Sequence, residues 1–399
     1  MIISFITTKY PTLESGAAVR NYYLLKALLS KNQVEKINLV NINLSYKGNN
    51  DERKFQDKKI HLFSINLKKR TFFKSLLSFA KGSIPYVDHL KDFKNSDQLV
   101  NLLIHSEVVI LSELDAYLAA EKYLKKIKGK TKIILDCHNV DHLRLKYELD
   151  SSFLFKRVLG NFLVQRLKAL EVESVKYVDF IFCCSKIDKD IFSKYISPEK
   201  IDVIENGVSF EENNIKNNSP VISSKKAILF MGELSYGPNI QGLKYYLNEI
   251  HPIVMKQDHD AVLYILGKNA PNWLITLSKK NSSIQLLGFV PSVISYLDAS
   301  AVCICPILGG SGTRLKVLEY MARSKPIVST TLGCQGINVI DCQEILIADS
   351  SKLFAKKILD VLSNKELADK LGSNAYKKAY KEYNWLTIGN KFFSAINGI

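Results

Sequence analysis

"PILGGSGTRLKVLEYMARSKPIV", residues Pro306–Val328, decides the fold. An apolar run, AVCICPI (301–307), leads into it, and a second, PIVST (326–330), closes it. Between them, Gly309, Gly310 and Gly312 give way to an amphipathic pattern from about Thr313 to Arg323. Strand, glycine-rich loop, helix and strand in that order form a unit of a parallel sheet. The first N–H groups of such a helix have no partner inside it, and its dipole favours an anion there. Glycines let a ligand approach the backbone closely, and Arg314 can add a charge-assisted bond to phosphate. Glu319 stands among Leu315, Leu318 and Met321. It lies roughly 10 Å of helix beyond Gly312, about the reach from a phosphate to the pentose of its nucleotide. A carboxylate there can accept two ribose hydroxyls; the plainer role is pairing with a neighbouring Lys or Arg on the helix surface.

The same alternation extends in both directions. MIISFIT (1–7), KINLVNI (36–42), VVIL (108–111), KIILDC (132–137) and DFIFCCS (179–185) read as strands in the first half. AILFMG (227–232), AVLYILG (261–267) and IQLLG (284–288) join the two runs above in the second. Their nearly continuous apolar character suits parallel strands covered on both faces. Each half is therefore expected to be a doubly wound, Rossmann-like α/β domain. The polar stretch 209–226, rich in Asn and Ser, separates residues 1–208 from residues 227–373. Residues 374–399 carry Trp385, Phe392 and Phe393, an aromatic segment that must pack on its own domain or cross back to the first.

With 399 residues, 47% hydrophobic and 24% charged, the chain has the length and composition of two globular domains. Its start, MIISFITTKYPT, reads as a strand rather than a signal peptide, and no apolar run is long enough to span a bilayer. Seven cysteines follow no framework and fall mostly in strands, which points to reduced core thiols and a cytoplasmic setting. Spaced Cys or His pairs are lacking, so neither a metal nor another cofactor is expected. The net charge of +16 is spread over both halves, with 34 Lys and Arg against 24 Asp and Glu in residues 1–210 and 21 against 15 in the rest. No nucleic-acid-binding motif accompanies it, so phosphates on a small molecule or a headgroup are the expected partners. Residues 67–82, LKKRTFFKSLLSFAKG, fit a helix lying on an anionic membrane, although an ordinary amphipathic surface helix is the commoner use of such a pattern.

The stretch GGSGTRLKVLEYMARSKPIVST resembles the signature of family four of the retaining glycosyltransferases with the GT-B fold. That family's motif has two glutamates; Glu319 matches the second, while Ser311 stands at the first, as in members with a GGGTRLK loop. The resemblance implies two facing Rossmann-like domains with a cleft between them. It also implies a nucleoside-diphosphate sugar as donor and retention of anomeric configuration. The donor would lie against Gly232, Ser311, Gly312, Thr313, Arg314, Leu315 and Glu319, with its base on backbone groups at Phe289 and Val290 of LLGFVPSVISYLDASAVCICP. Where the family often has Arg and Lys after its first strand of that domain, this chain has Glu233 and Pro238. Phosphate binding therefore shifts to the Thr313–Leu315 amides, Arg314 and the Gly237–Asn239 turn. In the first half, LESGAAVRNYYLLKAL resembles the family's glycine loop. Gly16 then faces the donor, and Arg20 reads equally as an anion contact or a surface charge. IILDCHNVDHLRLK resembles the segment that places His138 and Asn139 against the donor sugar. Glu113, at another strand end, lines the acceptor side or complements a helix dipole.

The expected reaction transfers a sugar to a saccharide, either lipid-linked or a growing surface polysaccharide. His138, Arg314 and Glu319 are the catalytic set, and the enzyme is cytoplasmic or peripheral at the inner membrane face. A hydrolase would need two carboxylates flanking the scissile bond, and no such pair stands out. A non-catalytic nucleotide-sugar-binding protein and another GT-B enzyme, such as an epimerase, are the alternatives.

Overall fold

The structure, a computed structural model, describes all residues except 14–15, 44–56, 68–83, 92–96, 151–153, 211–221, 223 and 311. The segment 67–82, apart from Leu67, most of the 209–226 stretch and Ser311 thus lie outside the described residues. The chain forms two compact units, Met1–Glu205 with Ile388–Ile399, and Asn206–Thr387.

In the first unit, β1 (Ile2–Thr7), β2 (Lys36–Asn43), β3 (Ile60–Asn66), β4 (Val108–Ser112), β5 (Lys132–Cys137), β6 (Phe180–Cys183) and β7 (Ile201–Val203) form one sheet. Its order is β3-β2-β1-β4-β5-β6-β7, with every pairing parallel. The five residues of β4 are all buried, and so are the last five of β1 and of β5, because helices cover both faces. The edge strand β3 instead alternates between partly buried and exposed residues. The helix Trp385–Gly398 brings its C-terminal part to this unit. There Phe392 is fully buried and packs edge-on against Phe182, with ring centroids 5.5 Å apart.

In the second unit, β8 (Ala227–Met231), β9 (Val262–Leu266), β10 (Ile284–Gly288), β11 (Val302–Cys305), β12 (Ile327–Ser329) and β13 (Leu346–Ile347) form a parallel sheet. Its order is β10-β9-β8-β11-β12-β13. Successive side chains of a strand point to opposite faces. Ile228 and Phe230 accordingly enter one core, while Ala227, Leu229 and Met231 enter another on the opposite face. The helix Lys365–Glu382 runs without a break through position 373.

Both sheets reverse strand order once, at β1/β4 and at β8/β11. In open α/β sheets that switch point, beyond the carboxyl ends of the strands, is where ligands bind. β11 ends at Cys305, immediately before the stretch quoted above, so strand order alone puts the glycine loop at the switch point.

Candidate active site

In the second unit, β8 ends at Met231 and the chain turns at Gly232, whose φ is +154°. A Cβ there would stand 2.7 Å from Asn239 Nδ2 and 2.8 Å from Lys316 Nζ, so only glycine lets those two side chains close over the turn. The helix Gly237–Tyr245 follows with Pro238 in its first turn, and Asn239 Nδ2 donates to the Glu233 carbonyl at 2.8 Å. Across the switch point, Gly310 has a φ of +110°, which carries the loop after β11 through a turn closed to side-chain-bearing residues.

The helix expected from Thr313 begins at Leu315 and ends at Ala322, because Arg314 stays extended at its N-cap. The Arg314 guanidinium is buried against its own loop, donating to the carbonyls of Gly312 at 3.1 Å and Gly309 at 3.2 Å. Two of its N–H groups thus brace the glycines, where the sequence pointed to phosphate. The extended Arg314 leaves the amides opening the Leu315–Ala322 helix without intrahelical acceptors. Beside them, Thr313 Oγ1 is buried with no hydrogen-bond partner among the described residues.

Two ionisable groups of that helix are shifted toward neutrality. Burial pushes the Glu319 carboxyl up to about 7, against a smaller pull from Lys316. Burial likewise pushes the Lys316 ammonium down to about 8, with Cys305 and Glu319 acting against it and Arg314 with it. Lys316 Nζ donates to Asn239 Oδ1 at 2.8 Å and lies 4.2 Å from the centre of the Phe230 ring. On the sheet's other side, β10 ends at Gly288, with Phe289 strongly exposed and Val290 packed on the core.

In the first unit, the β1/β4 switch point gathers a polar cluster. Arg20 is not a surface charge: it is 1% exposed and grips Asp136, from Nε at 2.9 Å and from Nη2 at 2.6 Å. Its Nη1 donates to the Glu205 carbonyl at 3.0 Å. Burial opposes the Asp136 charge, but Arg20 and His138 hold its carboxyl well below the usual carboxylate range. His138 Nε2 lies 3.1 Å from Asp136 Oδ2 and 3.3 Å from Ser112 Oγ, and its Nδ1 lies 3.5 Å from Glu113 Oε1. Burial acts to lower the His138 pKa, but the two carboxylates outweigh it and raise it to about 9.

Glu113 opens the helix Glu113–Ile127 with a φ of +70°, a conformation that costs a non-glycine residue on the order of 1–3 kcal/mol. Burial is the largest single effect and pushes its carboxyl up, but His138, Lys9 and Arg144 together outweigh it, and the net shift is downward. Among the described residues, neither His138 Nδ1 nor Glu113 Oε2 has a hydrogen-bond partner. Each of the two groups thus keeps one buried polar atom without a hydrogen-bond partner among the described residues, an arrangement that can meet a hydroxyl or a developing charge. Asn139 follows His138 just beyond β5, and exposed Gly16 begins the helix Gly16–Leu29 that carries Arg20.

Other ionisable groups are held within the fold. His142 Nδ1 bonds the Glu171 carboxylate, which also accepts from the amides of Asp141 and His142. Two Asp-x-Asp spacings occur, at 188–190 and 258–260. Asp188 accepts from the N-cap hydroxyl of Ser185, and Asp258 pairs with Lys226 at 2.8 Å. Among the described residues no group of three His, Cys, Asp or Glu is placed to hold a metal ion. Also among them, no helix is long and apolar enough to cross a membrane.

Lys316 and Asp136 are the members of these clusters that the sequence pattern does not single out. Lys316 follows the quoted glycines in TRLK, and no spacing or motif links it to Asn239, 77 positions away. Asp136 is a strand-end acid like many others until Arg20 is seen to meet it.

Residues 225–364 match the family described as Glycosyl transferases group 1. An uncharacterized 44.6 kDa protein in the cps region of Klebsiella pneumoniae is 26% identical over 337 residues, covering 82% of this chain and 81% of its own. An uncharacterized glycosyltransferase of Methanocaldococcus jannaschii is 27% identical over 354 residues, covering 84% and 88%. Among solved structures, sucrose-phosphate synthase from Thermosynechococcus elongatus superposes with a TM-score of 0.72 at 14% identity, covering 100% of this chain and 98% of that one. HepE of Anabaena in complex with UDP gives a TM-score of 0.65 at 12% identity, covering 100% and 99%.

Proposed function

We propose that this chain is a glycosyltransferase of the hexosyltransferase type with the GT-B fold, its residues 225–364 matching the group 1 family, and that it moves a sugar from a nucleoside-diphosphate sugar to a saccharide acceptor with retention. The observation that carries the donor assignment is the β8/β11 switch point. It gathers glycine-loop amides, the Thr313 hydroxyl, which has no partner among the described residues, and Glu319, whose carboxyl burial pushes up to about 7, on one short helix and the loop before it. A departing nucleoside diphosphate carries negative charge, and preorganised amides at a helix start stabilise it without reorganisation. Glu319 takes the ribose hydroxyls, and backbone groups at Phe289 and Val290 take the base. Arg314 keeps the loop in the shape that presents those amides, and Ser311, outside the described residues, belongs to the same loop. Solved relatives of this fold with UDP bound support a nucleotide-sugar donor.

The first unit supplies the groups that handle the sugar and its acceptor. His138, with Asn139 and Gly16, serves the donor sugar, while Glu113 serves the acceptor and Arg20 fixes Asp136 behind His138. Retention is supported by the likeness of residues 309–330 to retaining enzymes. The relative in a cps region supports an acceptor in surface-polysaccharide assembly. The basic, aromatic segment 67–82 supports a lipid-linked form at the inner face of the membrane; sedimentation with anionic liposomes tests it, and a protein that stays in the supernatant refutes it. For the donor, UDP, GDP, ADP and their sugars are compared by thermal shift. A ligand at 100 times its Kd stabilises by about 2.7 kcal/mol, so one nucleotide series should raise Tm by several degrees. No shift with any of them refutes the assignment.

A further inference from the structure

We propose that Lys316 is the diphosphate-binding cation of this site, its ammonium leaving Asn239 Oδ1 for a phosphate oxygen when a nucleoside diphosphate binds. The inference rests on the donor reading above and names the charge which that reading lacks. The cations around the switch point have distinct engagements. Arg314 turns two N–H groups onto loop carbonyls. Lys268 points to solvent, 56% exposed, 3.8 Å from Glu233. Lys316 is mostly buried, and its partners are neutral: an amide oxygen and the face of an aromatic ring. Among the described residues no carboxylate oxygen lies within 4 Å of its nitrogen. An ammonium taken out of water without a counter-charge is costly to hold. The fold nevertheless builds a seat for it, with glycine at 232 and Phe230 beneath the amine.

The seat is also in the right place. Gly232 lies at the end of β8, Asn239 is in the first turn of the Gly237–Tyr245 helix, and Lys316 is in the first turn of the Leu315–Ala322 helix. The amine therefore stands where two helix starts and the end of a strand converge, on the helix that follows Thr313, whose hydroxyl has no partner among the described residues. An anion of two phosphates placed on the loop amides brings its charge to this nitrogen. A Lys amine exchanges one acceptor for another by rotating its flexible stem. No such exchange is open to Arg314, whose fork is fixed on Gly309 and Gly312.

A purely structural brace, tying Asn239 to the glycine loop, is the competing explanation, and Lys316→Met separates the two. Methionine keeps the stem on Phe230 and removes the charge. The probes are the tightest-binding of UDP, GDP and ADP, and the corresponding nucleoside, titrated calorimetrically at fixed salt. We expect Lys316→Met to weaken the diphosphate about 10- to 100-fold while nucleoside affinity and Tm stay near wild type. Equal weakening of nucleoside and diphosphate, or none of either, overturns the proposal. A second measurement needs no variant. Wild-type affinity for the diphosphate should fall as pH rises above about 8, while nucleoside affinity changes much less; a flat profile to pH 9 overturns the proposal. The other ionisable groups facing the amine are Arg314, Glu319 and Cys305, with the Glu233–Lys268 pair behind Asn239. Glu319 titrates near 7, below the window, and burial pushes the Cys305 thiol up. A wild-type protein that binds none of the three nucleotides removes the donor reading and this proposal together. Binding that is indifferent to Lys316 removes this proposal alone.

Discussion

Glu319 is where sequence and structure meet most directly. An acid inside an apolar pattern asks for a reason, and the structure gives the physical consequence: burial raises its carboxyl to about 7, above the ordinary 4.5. A folded-state pKa above the unfolded one means that the folded form holds the proton more tightly. Stability from this group is therefore lost as pH rises from about 4.5 through about 7. Glu319→Gln should flatten that part of the stability–pH curve in urea titrations; an unchanged slope would show the group to be unperturbed. The same variant should weaken a nucleoside diphosphate but leave its 2′,3′-dideoxy analogue nearly unaffected, as the lost bonds go to ribose hydroxyls. His138 also has a raised pKa, from 6.5 to about 9, but here the stabilised form is the cation. Its contribution is complete below about 6.5 and disappears as pH rises through 9. His138→Ala should lower kcat by roughly 10- to 100-fold, the cost of one charged hydrogen bond, with nucleotide affinity retained; wild-type turnover would remove the residue from the mechanism. The position of His138 at a strand end was legible. Its charge was not, because that depends on Glu113 and Asp136, brought together by the β4–β5 pairing.

Among elements, the strands read most clearly where both faces are covered. β1, β2, β4, β5, β6 and β8 to β12 all coincide with apolar runs. β3 is missed by that criterion because its pattern alternates with exposed residues, and β7 and β13 because three and two residues carry no periodicity. The helix start after the glycine loop moves from Thr313 to Leu315, since nothing in residue type reveals the extended Arg314. The turn at Gly232 is a property of elements: it exists so that β8 can end beneath side chains from two helices. Gly232→Ala puts a methyl 2.8 Å from Lys316 Nζ in a backbone conformation that alanine rarely adopts. The variant should lose nucleotide binding and about 1–3 kcal/mol of stability. Calorimetry showing wild-type affinity would mean that the turn lies outside the site.

On the scale of the whole molecule, composition already implies two domains, and strand order gives each sheet one reversal, the place where open α/β sheets bind ligands. The last helix is a molecular feature too, since Ile388–Ile399 belong to the first unit although the whole of the second, Asn206 to Thr387, precedes them. Phe392, Phe393 and Ile396 are buried there. Burying a large apolar side chain contributes roughly 1.5–3 kcal/mol, so a chain ending at Thr387 should lose several kcal/mol from the first unit. Denaturant unfolding that is unchanged by the deletion would contradict this packing. The central claim is that the amides at the start of the Leu315–Ala322 helix hold a diphosphate while Glu319 holds its pentose. A crystal structure with the nucleotide that most raises Tm tests it most directly. The account predicts phosphate oxygens within hydrogen-bond distance of the Thr313–Lys316 amides and both ribose hydroxyls on Glu319; a nucleotide bound elsewhere, with that loop vacant, contradicts it.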